Sequence, residues 1–284
     1  MLLSAQDHSR GINLPIDVFF RSLADDQAEK AVGIILSGTG SDGMRGIRAI
    51  KEAGGMVMVQ SEESAKFDGM PRSAISTGLA DFINPPADMP QQLLAFAEHP
   101  YISKTERSDA LVAGDDDMAK IFSLLRERHK IDFTYYKPST VLRRLERRMT
   151  VNHIVELSEY IKFLDSYPRE VSTLYRELLI GVTNFFRDRE AFEILGENLL
   201  PAMFKKNTEN GFRFWVTGCS TGEEAYSLAI LARECMEQSG REVDLKIFAT
   251  DVDRDAVVQA GNGIYPESIA ADLSPNLLAK YFQR

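Results

Sequence analysis

Two stretches restrict the fold of this 284-residue chain more than any others. AVGIILSGTGSDGMRGIRAI, from Ala31 to Ile50, and FRFWVTGCSTGEEAYSLAI, from Phe212 to Ile230, each pass from an apolar run through a glycine-containing loop into a helical pattern. An unbroken apolar run suits a strand covered on both faces, and a helix directly after it suits the crossover to a parallel neighbour. MVMVQ supplies the next strand in the first region and DLKIFATD in the second. The expected fold class is α/β, with parallel sheets near both ends.

Between them the pattern is helical. MAKIFSLLRERHK, STVLRRLERRM, IVELSEYIKFLDS and EVSTLYRELLI space their apolar residues as amphipathic helices do, which predicts a small all-α domain over residues 118–200. Residues 101–117, through KTERSD and GDDD, are polar and without period, and read as a linker. That leaves residues 1–100 as one α/β segment and residues 201–284 as another. Two strands and two helices are too few for a self-sufficient doubly wound domain, so the last segment reads as incomplete, with open sheet edges that predict poor solubility.

The formal net charge of -9 argues against nucleic acid as the main partner, since phosphate neutralisation needs excess Lys and Arg. No apolar run approaches a membrane span, and MLLSAQDHSR lacks the apolar core of a signal peptide, so a cytoplasmic location is expected. Cys219 and Cys235 form no disulfide framework, and His8, His99, His129 and His153 are too scattered for a metal site.

Each glycine loop imitates a different motif. Gly38, Gly40 and Gly43 match the dinucleotide fingerprint, with Glu62 or Glu63 at the ribose spacing. Asp42 stands against it, because its carboxylate would compete with a pyrophosphate for the helix N-terminus. An Asp there can cap the helix or orient a catalytic histidine at the carboxyl edge of a parallel sheet. Taken with LPIDVFFRSLA and FDGMPRSAISTGLAD, the loop resembles the C-terminal half of the chemotaxis protein-glutamate methylesterase domain. The resemblance implies that Asp42 is the third member of a Ser, His, Asp triad whose Ser and His lie upstream. Thr39 stands where many members carry Met, and His8 lies outside the motif that bears the catalytic His.

GCSTG, in turn, reads G-x-S-x-G, the nucleophile elbow of hydrolases, which would make Ser220 a nucleophile. That motif needs a histidine after the serine, and none follows His153. Asp251, at the end of the next strand, suits ribose hydroxyls, while Glu223 and Glu224 suit a cationic ligand such as S-adenosylmethionine or simply stabilise the first helical turn. VTNFFRDREAF, WVTGCSTGEEAYSLAI and IFATDVDRDAVVQAGNGIY together resemble the chemotaxis protein-glutamate O-methyltransferase family over residues 118–284. The resemblance implies a Rossmann-like S-adenosylmethionine domain, with Thr183, Arg187, Gly218, Glu223 and Asp251 as cofactor contacts. Glu224 is the alternative to Glu223, and Gly181 replaces an Asn common in the family. Arg187 is also expected to position charge during transfer, or to pair with Asp188 or Glu190.

Four arginines complete the candidate set. In VLRRLERRM, Arg143 pairs with Arg147 and Arg144 with Arg148 at i, i+4, a spacing at which like charges repel. Such a run is usually a solvated face; the resemblance implies a surface that docks acidic helices of methyl-accepting chemotaxis receptors. The chain therefore reads as part of a methylesterase and methyltransferase fusion, with sensor or receiver domains outside it. The rivals are a non-catalytic scaffold of a chemosensory pathway and, from GTGSDG alone, an NAD-dependent dehydrogenase.

Overall fold

The computed structural model describes residues 14–99, 102, 114–181, 183–206 and 211–283, which form two compact units, Leu14–Ile180 and a second that begins at Gly181. His8 and linker residues 101 and 103–113 lie outside the described residues.

In the first unit, β1 (Val32–Ile35), β2 (Met56–Gln60) and β3 (Phe82–Asn84) pair in parallel in that order. Helix α1 (Pro15–Gln27) precedes them, α2 (Met44–Glu52) and α3 (Gly69–Ser76) make the crossovers, and α4 (Met89–Glu98) follows. The unbroken apolar run of β2 has a physical reason. Val57 and Val59 pack on Phe20, Ile47 and Ile50 on one face, while Met56 and Met58 pack on Met89 and Phe96 on the other. At roughly 2 kcal/mol for each large apolar side chain buried, that central strand is the main hydrophobic anchor of the sheet.

The helical part comprises α5 (Asp115–His129), α6 (Pro138–Val151), α7 (Leu157–Ser166) and α8 (Pro168–Leu178). Proline opens α6 and α8, where its missing N–H costs nothing. Residues 115–117, assigned to the linker, open α5 instead. These helices enclose Leu125, Phe133, Leu145, Tyr160 and Leu174.

Val141, Leu145 and Met149 of α6 face that core. The arginines between them are not a solvated face, the usual reading of a run such as VLRRLERRM. Arg144, Arg147 and Arg148 are only 3%, 1% and 6% exposed, and Arg143 is half-buried. Like charges four apart are tolerated here because Arg144, Arg147 and Arg148 each meet carboxylate or carbonyl acceptors. Arg147 pairs with Asp81 and, at 2.8 Å, with Glu177, and its Nε donates to the Gly55 carbonyl at 3.0 Å. Arg144 Nη1 donates to the Lys51 carbonyl at 2.7 Å and Nη2 to the Glu52 carbonyl at 3.3 Å, closing the C-terminal end of α2. Arg148 grips Glu170 with two bonds of 2.9 Å, and Tyr160 donates to the same carboxylate at 2.8 Å. Lys51 Nζ lies 2.6 Å from Asp81 and 3.3 Å from Glu177.

The second unit holds α9 (Arg189–Ile194), a π turn (Leu195–Leu199), α10 (Leu200–Lys205), β4 (Phe212–Thr217), α11 (Glu223–Ser239), β5 (Leu245–Thr250), α12 (Arg254–Asn262) and α13 (Pro275–Tyr281). Helices near residue 200, grouped with the all-α domain from their period, fall in this unit, because Leu200 and Phe204 pack on Ala232, Cys235 and Met236 of α11. β4 and β5 pair in parallel, with Trp215 beside Phe248. Phe212 and Phe214 join the packing under α11, whereas Trp215 is 71% and Phe248 53% exposed on the other face. A parallel sheet is ordinarily covered on both faces; among the described residues of this unit the helices cover one.

The ionic cluster has an acid signature. Burial opposes ionisation of Asp81 and Glu177, but Arg147 and Lys51 outweigh it and hold both carboxyls below their usual range. A carboxylate depressed below its unfolded value of about 4 contributes stability that is complete above that pH and is lost as pH falls through the folded value. The first unit should therefore lose stability progressively as pH drops below about 4. Asp81→Asn should flatten that decline and cost about 3 kcal/mol at neutral pH, since buried Lys51 and Arg147 then share the single carboxylate of Glu177. Thermal melts over a pH series read both effects, and an acid profile indifferent to the substitution would contradict the assignment.

Candidate functional site

Asp42 sits on the loop between β1 and α2, yet it caps a different helix. Its Oδ2 accepts from the Ile16 N–H at 3.1 Å and its Oδ1 from the Asp17 N–H at 3.0 Å, at the start of α1. Asp17 returns the arrangement: its Oδ1 accepts from Gly46 N–H at 2.7 Å, in the first turn of α2. Two helix N-termini are thus satisfied reciprocally by the carboxylates of each other's segments. Asp17 is 3% exposed, and its acidity is weakened by burial first, with the charge of Asp42 adding to it against the Gly46 bond. Sequence reasoning missed Asp17; an Asp in the first turn after Leu14-Pro15 was the available signal.

The dinucleotide reading fails on packing. A Cβ at Gly38 would strike the Met70 side chain, and one at Gly43 would lie 2.6 Å from Ile35 Cδ1. These glycines admit neighbouring side chains, and the carboxylate between them is turned to α1. His99 is no partner for Asp42: its ring lies 3.2 Å from both Thr150 Oγ1 and the Ile154 carbonyl oxygen.

In the second unit, the loop after β4 is fastened to the tip of β5. Gly218 and Cys219 donate their N–H groups to the Thr250 carbonyl at 2.8 and 3.0 Å. Ser220 N–H donates to Asp251 Oδ2 at 2.7 Å, and Asp253 N–H to Asp251 Oδ1 at 2.9 Å. Gly218, Ser220 and Gly222 all have positive φ, at 71°, 47° and 97°, so the loop is a tight turn that exposes backbone rather than side chains. Ser220 has the left-handed backbone of a nucleophile elbow without a histidine anywhere in residues 181–284.

Glu223, 8% exposed, accepts from Thr221 Oγ1 at 2.6 Å, while Glu224 is exposed to solvent. The loop is electronegative: burial first, then Asp251, Glu224 and Glu223, raise the Cys219 thiol, and burial then Glu223 raise the Tyr265 hydroxyl. Tyr265 donates to the Thr221 carbonyl at 2.7 Å and so braces the turn. The TNFFR segment, carrying half-buried Thr183 and exposed Arg187, is held to the same helix. Phe186 N–H donates to Ser227 Oγ at 3.0 Å, Ser227 Oγ donates to the Glu223 carbonyl at 2.7 Å, and Phe185 meets the Tyr265 ring edge-on at 5.0 Å. Thr183, Arg187, Gly218, Glu223 and Asp251 therefore belong to one unit, with Asp251 hydrogen-bonded from the tip of β5 to the turn that leads into Glu223. Ser227 and Tyr265 were not anticipated. Ser227 falls one helical turn after Glu223, the only hint in the sequence.

The chain matches three family models in succession. Residues 1–93 match CheB methylesterase, residues 116–179 the all-alpha domain of CheR methyltransferase, and residues 181–284 its SAM binding domain. A protein of Rhodobacter capsulatus described as an uncharacterized 104.1 kDa protein in hypE 3′ region is 40% identical over 96% of this chain, which spans 31% of that relative. A chemotaxis protein methyltransferase of Borreliella burgdorferi is 30% identical over 60% of this chain and 62% of its own length. A protein-glutamate methylesterase/protein-glutamine glutaminase of Moorella thermoacetica is 42% identical over 28% of this chain and 19% of its own. The chain thus spans less than two thirds of each of these relatives.

The turn is tightly determined at Gly222, where a Cβ would lie 2.9 Å from both Ala260 Cβ and Tyr265 Oη. Gly222→Ala should lower the stability of the second unit by at least about 1 kcal/mol, from the left-handed backbone alone. A melting transition unmoved by the substitution would show that the turn is not as drawn.

Proposed function

Because this chain joins a CheB methylesterase segment to the all-alpha and SAM-binding domains of a CheR methyltransferase, we propose that it transfers the methyl group of S-adenosylmethionine to glutamate side chains of chemotaxis receptors. The observation that carries the reading is the electronegative glycine turn, with Asp251 at the tip of β5 and Glu223 at the first turn of α11.

The donor set fits the cofactor. Asp251 accepts one backbone N–H on each oxygen, which leaves further lone pairs on both for a pair of ribose hydroxyls. The buried Glu223 carboxylate and the field that raises Cys219 and Tyr265 favour a cation over a phosphate. A pyrophosphate at this turn would meet Glu223 and Glu224 at the helix N-terminus, where an anion needs free amides. Bound there, S-adenosylmethionine supplies a sulfonium-activated methyl group.

The protein's own contribution is placement. A receptor glutamate is already ionised at neutral pH, so its oxygen can attack the methyl carbon as the carbon–sulfur bond breaks, and no general base is needed. Thr183 and Arg187 would line the cofactor side through the Phe185 and Ser227 anchors, Arg187 holding negative charge in line. Asp42 would serve the opposing reaction by orienting a histidine. A carboxylate alone supplies neither nucleophile nor base, so methyl ester hydrolysis needs a serine and a histidine besides it. The order of segments drawn from the sequence, methylesterase, then all-α, then cofactor domain, belongs to the same proposal, with the last beginning at Gly181 rather than after residue 200, as does a cytoplasmic site of action; among the described residues no helix is long and apolar enough to cross a membrane.

Calorimetric titration with S-adenosylhomocysteine, S-adenosylmethionine and NAD tests the reading. The adenosyl ligands should bind and NAD should not. Asp251→Asn and Glu223→Gln should each weaken binding about tenfold, the worth of roughly 1.4 kcal/mol. A folded protein that ignores both adenosyl ligands would favour a non-catalytic scaffold.

A further inference from the structure

A cavity of about 390 Å³ lies in the first unit among the turn before β3, α6 and α8. Its polar wall carries Lys51, Asp81, Arg148, Arg176 and Glu177, three cations to two carboxylates. Both carboxylates also serve Arg147, which does not line the space. Arg148 is the member left short. Its Nε and Nη2 bond Glu170, but Nη1 donates to no acceptor among the described residues, and Asp81 Oδ1 stands 3.9 Å from it. A guanidinium only 6% exposed ordinarily bonds through every edge it has, so an unbonded amino group on a cavity wall marks a place for an acceptor. The rest of the wall is largely apolar and includes Leu79, Ile83 and Ile180.

These features fit one kind of occupant. The excess on the wall is a single positive charge, so a monoanion balances it, whereas the second charge of a phosphate would be repelled by Asp81 and Glu177. A carboxylate matches the planar edge of a guanidinium, and the apolar part of the wall suits a short hydrocarbon body. The space is also large enough for an organic ligand rather than an inorganic ion alone. We infer that the cavity is a binding site for a small aliphatic monocarboxylate, its charge held by Arg148 and Arg176 and its chain resting on Leu79 and Ile83. Bound there, the ligand ties the turn before β3 to α8 and stabilises the first unit by mass action. The site shares no residue with the glycine turn of the second unit, so it stands whether or not that turn holds S-adenosylmethionine.

The test is calorimetric titration of the full chain with sodium butyrate, sodium phosphate and sodium chloride in turn, with hydrogen–deuterium exchange followed at residues 78–83 and 173–180. Butyrate should bind and slow exchange in both segments, and chloride should do neither. Arg148→Gln should abolish binding, but it also takes the cation from Glu170, so two exposed positions carry the test if that variant fails to fold. Arg176→Gln should weaken butyrate binding about threefold, the worth of a solvated charge. Ile83→Glu sets a fixed carboxylate at the cavity and should prevent binding. A butyrate titration indistinguishable from chloride overturns the site, as does binding left unchanged by both surface substitutions. Phosphate bound as tightly as butyrate overturns the assignment to a carboxylate.

Discussion

The first unit depends on the burial of Arg147 between Asp81 and Glu177. Its guanidinium joins the helical part to the sheet, and its charge is what keeps both carboxylates ionised out of water. Lys51 and Arg144 then complete the arrangement, one as a further counter-ion and the other as a cap on α2. Such a cluster contributes less through the pairs themselves than through the penalty for losing any one member, since a lone buried charge costs several kcal/mol. It fixes where α6 lies against β3 and the end of α2, and so decides which face of α6 a partner can reach.

Both units start from the same local grammar, an apolar strand, a tight glycine turn and a helix, and they put it to different uses. In the first, the carboxylate of Asp42 turns away to cap α1, and neighbouring side chains occupy the space beside Gly38 and Gly43. In the second, the carboxylates of Asp251 and Glu223 gather at the turn and make it electronegative. The difference lies in charge placement, which is why the short motifs, taken as patterns, suggest a nucleotide site at one end and a hydrolase at the other.

Much of this was legible in the sequence. The buried run around Val57, the strand around Val216, the helical middle and the positions of Asp42, Glu223 and Asp251 follow from period and spacing, because they depend on near neighbours. The arginine face was not. Four arginines at i, i+4 read as solvated unless their acceptors are known, and Asp81 lies 66 positions from Arg147 along the chain. Ser227 and Tyr265 escaped notice for the same reason: Ser227 accepts from the Phe186 N–H 41 positions away and Tyr265 donates to the Thr221 carbonyl 44 positions away, partners that only the fold brings near. Long-range polar pairing is a property of the tertiary arrangement, and no local pattern announces it.

The most direct test of the proposed activity is transfer of label. Incubated with methyl-tritiated S-adenosylmethionine and a chemoreceptor preparation, the protein should place tritium in the receptors as glutamate methyl esters, released as methanol by mild alkali, and Asp251→Asn should suppress the signal. Alkali-stable label, or none from a folded protein that binds S-adenosylhomocysteine, would contradict the account.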